Sequence, residues 1–275
     1  MWSWLLRWVG PWYLGWSALA YFPLFWRGSG RWRRRICHAT NLGNSPAEPS
    51  VRPSNPLEQY FDRVQAGPGI WKWRHYFEIY HKHFQQFRGR EVHIVEIGVY
   101  SGGSLGLWTD YFGPNCHVYG IDIEPACKAY ERDGVRVFVG DQADRQFWRG
   151  FKEQVPRVDI VIDDGGHKTR QQIVTFEELF PHLAPGGVYL CEDVAFSNNF
   201  FAQYMCGVSQ NLHAFERYQN SDDNENRLSC PASDFQAWVE AIHFYPYVVV
   251  AEKRESPRAE FVAPKHGTIW EPFLK

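Results

Sequence analysis

The sequence predicts an α/β protein built on one doubly wound, mostly parallel seven-stranded sheet with a reversed last strand, plus an N-terminal helical extension. Three observations carry this. From His93 onward, short apolar runs alternate with segments of helical spacing, as parallel strands joined by crossover helices do. Several runs end abruptly in glycines and carboxylates, most sharply Ile160 to His167 (Ile-Val-Ile-Asp-Asp-Gly-Gly-His), which is how buried parallel strands deliver polar groups to their C-terminal edge. Near the end, two strand-like runs at 242–245 and 248–252 flank Pro246-Tyr247, a connection so short that it forces antiparallel pairing.

Taken in order, residues 1–55 read as an apolar and basic extension with a linker, poorly ordered. The uncharged run 9–26 is followed by Arg27, Arg31, Arg33, Arg34 and Arg35. Trp4, Trp8, Trp12 and Trp16 recur every four residues, one aromatic face suited to a membrane interface, but Gly10, Pro11, Gly15 and Pro23 weaken any helix there. A dispensable extension is favoured over membrane contact through residues 1–36. The stretch 39–56, rich in Pro, Ser and Asn, reads as the linker. Residues 56–90 form a helical lid or cap: helices at 57–65 and 70–87, broken by Gly67-Pro68-Gly69. Trp71, Trp73, Tyr76, Phe77 and Tyr80 either line a substrate entrance or cover the sheet. His81 and His83, two apart, fall on different helix faces and are expected in solvent.

The main domain, 91–255, has expected strands at 93–99, 117–123, 135–139, 159–163 and 188–191, with helices at 104–111, 126–132, 143–154 and 169–182. Pro185-Gly186-Gly187 reads as a tight turn into the fifth strand. The polar stretch 198–229 reads as a surface loop, 232–241 as a helix, and 256–275 as a C-terminal tail.

Charge excludes one class of partner: 29 basic against 31 acidic residues give no broad surface for nucleic acid. Six cysteines without CxxC spacing point to free thiols in a reducing, cytoplasmic compartment, with membrane association through the N-terminal segment as the alternative.

The first strand ends in Glu96-Ile-Gly98-Val-Tyr100-Ser101-Gly102-Gly-Ser104, where glycines let the backbone turn tightly against a ligand. Tyr100 stands where a dinucleotide fingerprint needs glycine, which argues against NAD. Asp122 ends the second strand, placed to accept from two ribose hydroxyls, and Asp141-Gln142 end the third, placed to hold an adenine. This ordered set, with the reversed last strand, resembles class I S-adenosylmethionine-dependent methyltransferases over residues 92–253. The resemblance implies a Rossmann-like sheet and S-adenosylmethionine bound by Glu96, Gly98, Ser101, Gly102, Asp122, Asp141 and Gln142, with Asp163 in a supporting role.

Asp164 and the pair Glu192-Asp193 end the fourth and fifth strands, neighbours in a class I sheet. Three converging carboxylates repel one another unless a cation neutralises them, and oxygen ligands suit Mg²⁺ or Mn²⁺ better than a soft metal. His167, three residues after Asp164, is within reach of an acceptor hydroxyl as general base. Here Asp-Asp-Gly-Gly-His and Cys-Glu-Asp-Val resemble the metal-dependent sugar O-methyltransferases of the macrocin and mycinamicin type and the cephalosporin-hydroxylase-like proteins. That resemblance implies Asp164, Glu192 and Asp193 as Mg²⁺ ligands, His167 as base, and as partner a small hydroxylated molecule, a sugar or glycosylated natural product. A catechol-like phenolic acceptor, a hydroxylase-like reaction and a non-catalytic cofactor-binding protein are the alternatives; homo-oligomerisation stays open.

Overall fold

A computed structural model describes residues 54–194, 199–214 and 227–267. The expectations for 1–36, for the linker before Ser54 and for the acidic centre of the 198–229 stretch lie outside the described residues. Among the described residues, no helix is long and apolar enough to cross a membrane.

Helix α1 (Pro56–Arg63) starts where the Asn55 side chain accepts from the Leu57 N–H and Pro56 occupies a position that needs no donor. Helix α2 (Arg74–Phe84) buries Tyr76, Phe77, Tyr80, His83 and Phe84, one face of a 3.6-residue repeat. Strand β1 (Val92–Ile97), α3 (Gly103–Phe112), β2 (Cys116–Asp122), β3 (Val135–Val139), α4 (Arg145–Gln154), β4 (Val158–Asp163), α5 (Thr169–Leu179) and β5 (Leu183–Cys191) follow. After them come α6 (Phe201–Ser209), β6 (Arg227–Pro231), α7 (Asp234–Trp238), β7 (Val239–Tyr245), β8 (Val248–Lys253) and β9 (Glu260–Pro264).

Seven strands form one sheet in the order β3-β2-β1-β4-β5-β8-β7. The first five are mutually parallel where they pair, and β8 runs antiparallel to both β5 and β7. The last strand of the sheet is therefore the reversed one, inserted between β5 and β7. Alternation of side chains splits the interior in two. Ile94, Ile160, Ile162, Leu190 and Val250 pack in a cluster with residues of α1 to α3. Val95, Val161, Tyr189, Cys191 and Val249 pack in a second cluster with residues of α4 to α6.

Several expectations are corrected. The helix at 126–132 is a 3-10 turn, Pro125–Tyr130, and the helix at 169–182 ends at Leu179. Pro185 to Gly187 lie inside β5 rather than before it, where the register against β4 shifts between Val158 and Ile160 and so absorbs the irregular backbone. Within the stretch read as a loop, Phe201 and Met205, one turn apart, bury themselves and anchor α6. Strand β6 pairs with β9, five residues of the expected tail. Of the helix at 232–241 only α7 forms, because Val239 is buried and already paired with Lys253.

His83 is the sharpest correction: it is 4% exposed, not in solvent. His81 bonds the Tyr111 hydroxyl at 2.7 Å. Lys82 Nζ donates to the Tyr245 hydroxyl, which lies 2.9 Å from His83 Nε2; His83 Nδ1 and His243 Nε2 then donate to the two oxygens of Glu252 at 2.7 and 3.0 Å. This chain of bonds ties α2 to the reversed end of the sheet. The His83 hydrogen bond, working against burial, and the one from His243 hold the Glu252 carboxyl down at about 2. A depressed carboxylate contributes stability above its unfolded value of 4.5 and loses it as pH falls towards about 2. Glu252→Gln is expected to lower stability at pH 7 by about 2 kcal/mol and to flatten that acid limb, as read by urea unfolding at a series of pH values.

Candidate active site

The ends of β1, β2, β4 and β5 all face one edge of the sheet. There, residues 97–101, 121–123, 140–142, 164–167 and 192–193 line a cavity of about 820 Å³, walled on another side by 69–73 and Tyr76. Its size and its place beyond the carboxyl ends of parallel strands suit a nucleotide-sized ligand with an acceptor beside it. Gly98 is what lets β1 and β4 meet: a Cβ built there would lie 2.0 Å from the Asp164 carbonyl oxygen. Three non-glycine residues of the lining, Tyr100, His167 and Asp193, hold left-handed φ values of 46°, 53° and 53°. Backbone strain of this kind collects where a fold must aim particular groups.

The acidic half is closely wired. Tyr76 donates to Asp193 Oδ1 and Tyr80 to Glu192 Oε1, both at 2.6 Å. His167 Nε2 faces Asp164 Oδ1 at 3.9 Å and Asp193 Oδ2 at 3.8 Å. The loop that carries His167 is pinned by Asn199, whose Nδ2 donates to the His167 carbonyl at 2.9 Å. One ligand atom each from Asp164, His167 and Asp193 lie within 4.8 Å of one another, a spacing one cation with bonds of about 2.0–2.6 Å can bridge. Glu192 stands outside that triad, since Tyr80 and Lys72 take its oxygens: Lys72 Nζ is 3.1 and 3.0 Å from Oε1 and Oε2, and 2.5 Å from Asp164 Oδ2. Burial opposes the charge on Lys72, but Asp164, Glu192 and Glu96 outweigh it and raise its pKa above the usual lysine range, so it stays an ammonium.

The cofactor half differs from expectation in what its side chains do. Ser101, Asp122, Asp141 and Gln142 do line the cavity. Asp122, however, already accepts from the N–H groups of Val99, Tyr100 and Glu124, so much of its carboxylate fixes the first turn. Asp141 accepts from the Ala143 N–H at 2.8 Å. Gln142 donates to Asp163 and Thr175 and accepts from the Gly166 N–H at 2.7 Å, so its amide braces the Asp-Asp-Gly-Gly-His turn. Glu96, expected at the cofactor, is interior, as is Asp163, expected in a supporting role. Asp163 is buried between Gln142 and the Tyr189 hydroxyl. Glu96 is buried beside Ser104 and Lys72, and burial pushes its carboxyl up to about 7 against the pull of the lysine. Gly102 turns at φ 73° before α3, packed under the ring of Tyr130.

Sequence reasoning missed Lys72 and the hydroxyls of Tyr76 and Tyr80. The two tyrosines are expected from sequence only as rings that line an entrance or cover the sheet, and the i, i+4 spacing that aims both hydroxyls at one strand end was the available signal. Of the five aromatic residues expected at an entrance or over the sheet, Trp71 (87% exposed), Trp73 (55%) and Tyr76 line the cavity, whereas Phe77 and Tyr80 are buried.

Residues 95–194, which hold the ends of β1 to β5, match a family model described as a methyltransferase domain. The 8-demethyl-8-alpha-L-rhamnosyl tetracenomycin-C 2'-O-methyltransferase of Streptomyces olivaceus is 34% identical over 204 residues, 70% of this chain and 53% of that protein. The mycinamicin VI 2''-O-methyltransferase of Micromonospora griseorubida is 38% identical over 122 residues, 42% of this chain and 30% of its own length. The solved structure of the MycE methyltransferase from the mycinamycin biosynthetic pathway, in complex with Mg and SAH, is similar at a TM-score of 0.57 and 25% identity, covering 74% of this chain and 55% of that one. The chain thus spans about half the length of the tetracenomycin relative and of the MycE chain, and 30% of the mycinamicin VI relative.

Proposed function

We propose that the chain transfers a methyl group from S-adenosylmethionine to a hydroxyl of a sugar or glycosylated natural product, with Mg²⁺ at the acidic edge; the match of residues 95–194 to a methyltransferase domain and the similarity to the mycinamicin VI 2''-O-methyltransferase and to the MycE structure with Mg and SAH support this. The observation that carries this reading is the convergence of the Asp164, Glu192 and Asp193 carboxylates at one wall of the cavity, with the His167 imidazole beside two of them. Residues 91–255 are the catalytic domain and 56–90 its cap.

Bound at this edge, S-adenosylmethionine supplies an electrophilic methyl group and Mg²⁺ a positive charge that favours the deprotonated acceptor oxygen. Hard carboxylate oxygens at Asp164, Asp193 and Glu192 fit such an ion, and these residues would hold it. His167 takes the acceptor proton at Nε2, where the two carboxylates it faces at 3.9 and 3.8 Å stabilise the imidazolium that results. Ser101, Asp122 and Asp141 hold the nucleoside end. Trp71 and Trp73 offer an apolar wall to the acceptor and keep water from the transfer. A reducing, cytoplasmic compartment suits the free thiols of Cys116, Cys127 and Cys191, all buried.

The test is isothermal titration with S-adenosylmethionine, with and without Mg²⁺, followed by labelled-methyl transfer to a panel of glycosides and phenolic diols. Binding, and transfer to a glycoside that stops on chelation and returns with added Mg²⁺, are expected. A protein that binds no cofactor sinks the reading, and transfer confined to the diols redirects it to a phenolic acceptor.

A further inference from the structure

Lys72 has no part in the transfer as derived above, yet it sits at the centre of the acidic edge. Its side chain is 3% exposed, with Nζ 2.5 Å from Asp164 Oδ2 and 3.0 Å from Glu192 Oε2. A divalent ion held by the proposed ligands Asp164, Glu192 and Asp193 would draw their oxygens to about 2.0–2.6 Å, so ion and ammonium could not share the gap between Asp164 and Glu192. Each occupant is favourable alone. A buried ammonium is costly unless it is paired, and three carboxylates at one edge carry more charge than one ammonium neutralises.

An ammonium displaced from Asp164 would need another acceptor, and one is in place. Glu96 is fully buried, its Oε2 takes the Ser104 hydroxyl at 2.9 Å, and its Oε1 lies 4.0 Å from Lys72 Nζ. That oxygen accepts no hydrogen bond of good geometry, and the Trp108 indole N–H near it has no other acceptor. A buried carboxylate oxygen so poorly served is expensive, and this one is within a short side-chain movement of the Lys72 ammonium.

We infer that Lys72 is a two-position lysine: it bridges Asp164 and Glu192 until a divalent ion arrives, then moves its ammonium to Glu96, so that the chain carries its own competitor for the metal. The inference rests on the reading that an ion binds at this edge. Lys72 acts on the reaction through Asp164 and Glu192 and is a positioning residue. Lys72 belongs to the 69–73 segment that also brings Trp71 and Trp73 to the cavity, so a shift of its ammonium bears on the acceptor wall as well.

The full chain, stripped by chelation, is titrated with Mn²⁺ and the free ion followed by electron paramagnetic resonance. Lys72→Met is expected to bind Mn²⁺ about tenfold more tightly, and Glu96→Gln about tenfold more weakly, because the displaced ammonium loses its acceptor. In the double variant the Glu96 effect is expected to vanish, since without the lysine that acceptor has nothing to receive. If Glu96→Gln weakens binding as much in the Lys72→Met background as alone, Glu96 acts only by its charge and the proposal is overturned. It is also overturned if Lys72→Met binds no more tightly than the parent, an outcome that leaves the metal reading standing. No Mn²⁺ binding by parent or variants overturns both. Thermal unfolding checks that each variant folds; where Lys72→Met does not, Glu96→Gln decides, and an unchanged affinity counts against the proposal.

Discussion

Replacing His167 with alanine is expected to lower kcat for methyl transfer by about 10²–10⁴-fold, with little change in KM for cofactor or acceptor. The ring stands 30% exposed beside the cavity, with Nε2 facing Asp164 and Asp193, so deleting it removes a proton acceptor without opening the interior. Alanine meets the same left-handed strain at φ 53° that histidine bears, and the Asn199 bond to the residue 167 carbonyl does not depend on the side chain. Stability should therefore stay within about 0.5 kcal/mol, and the unfolding midpoint serves as the control. An effect on kcat and kcat/KM alike marks an interaction made in the transition state. A variant with kcat within threefold of the parent would show that another group, or solvent, takes the proton.

How much of this site was legible follows from where its information lies in the chain. That Asp164, His167, Glu192 and Asp193 meet at one sheet edge could be read because all four lie in the turns that follow short buried apolar runs, and a parallel strand has only one place to put what comes next. The same local grammar identified the turns after Val139 and Ile97. It could not foresee that the Gln142 amide braces the neighbouring turn or that Glu96 lies buried beside Ser104, because polarity at a strand end does not tell which way a side chain faces. Lys72 was illegible for another reason. It meets Asp164 and Glu192 across 92 and 120 residues of sequence, and no periodicity records a bond of that span. His83 failed likewise: helical spacing separated it from His81 correctly, but which face looked inward depended on Glu252 and Tyr245, 169 and 162 residues away. The two sheet irregularities, Pro185 to Gly187 within β5 and the strand β9, depend on partners supplied from elsewhere in the chain, β4 and β6.

Gly98→Ala is expected to cost about 3 kcal/mol or more, and the reason separates a general property of glycine from a particular one. Gly98 and Gly113 have almost the same φ, 92° and 97°, a region that L-residues rarely adopt. Around Gly113 an added Cβ meets nothing within 4 Å, so Gly113→Ala should cost only the conformational term, about 1–3 kcal/mol. At Gly98 the added Cβ meets the Asp164 carbonyl oxygen at 2.0 Å and its carbon at 2.8 Å, and neither is a flexible side-chain end. Backing away is blocked on both sides, since Gly98 N–H donates to Ile121 at 2.8 Å and Asp164 N–H to Ile97 at 3.0 Å. Relief of the clash must break one of these bonds or carry Asp164 outward, so lost stability and a displaced carboxylate are two faces of one event. Urea midpoints of the two alanine variants measure the difference. Equal losses would mean that the close approach of β1 and β4 is not what glycine secures there. A larger loss at Gly98, with metal affinity falling beside stability, would tie the first turn of the sheet to the position of Asp164.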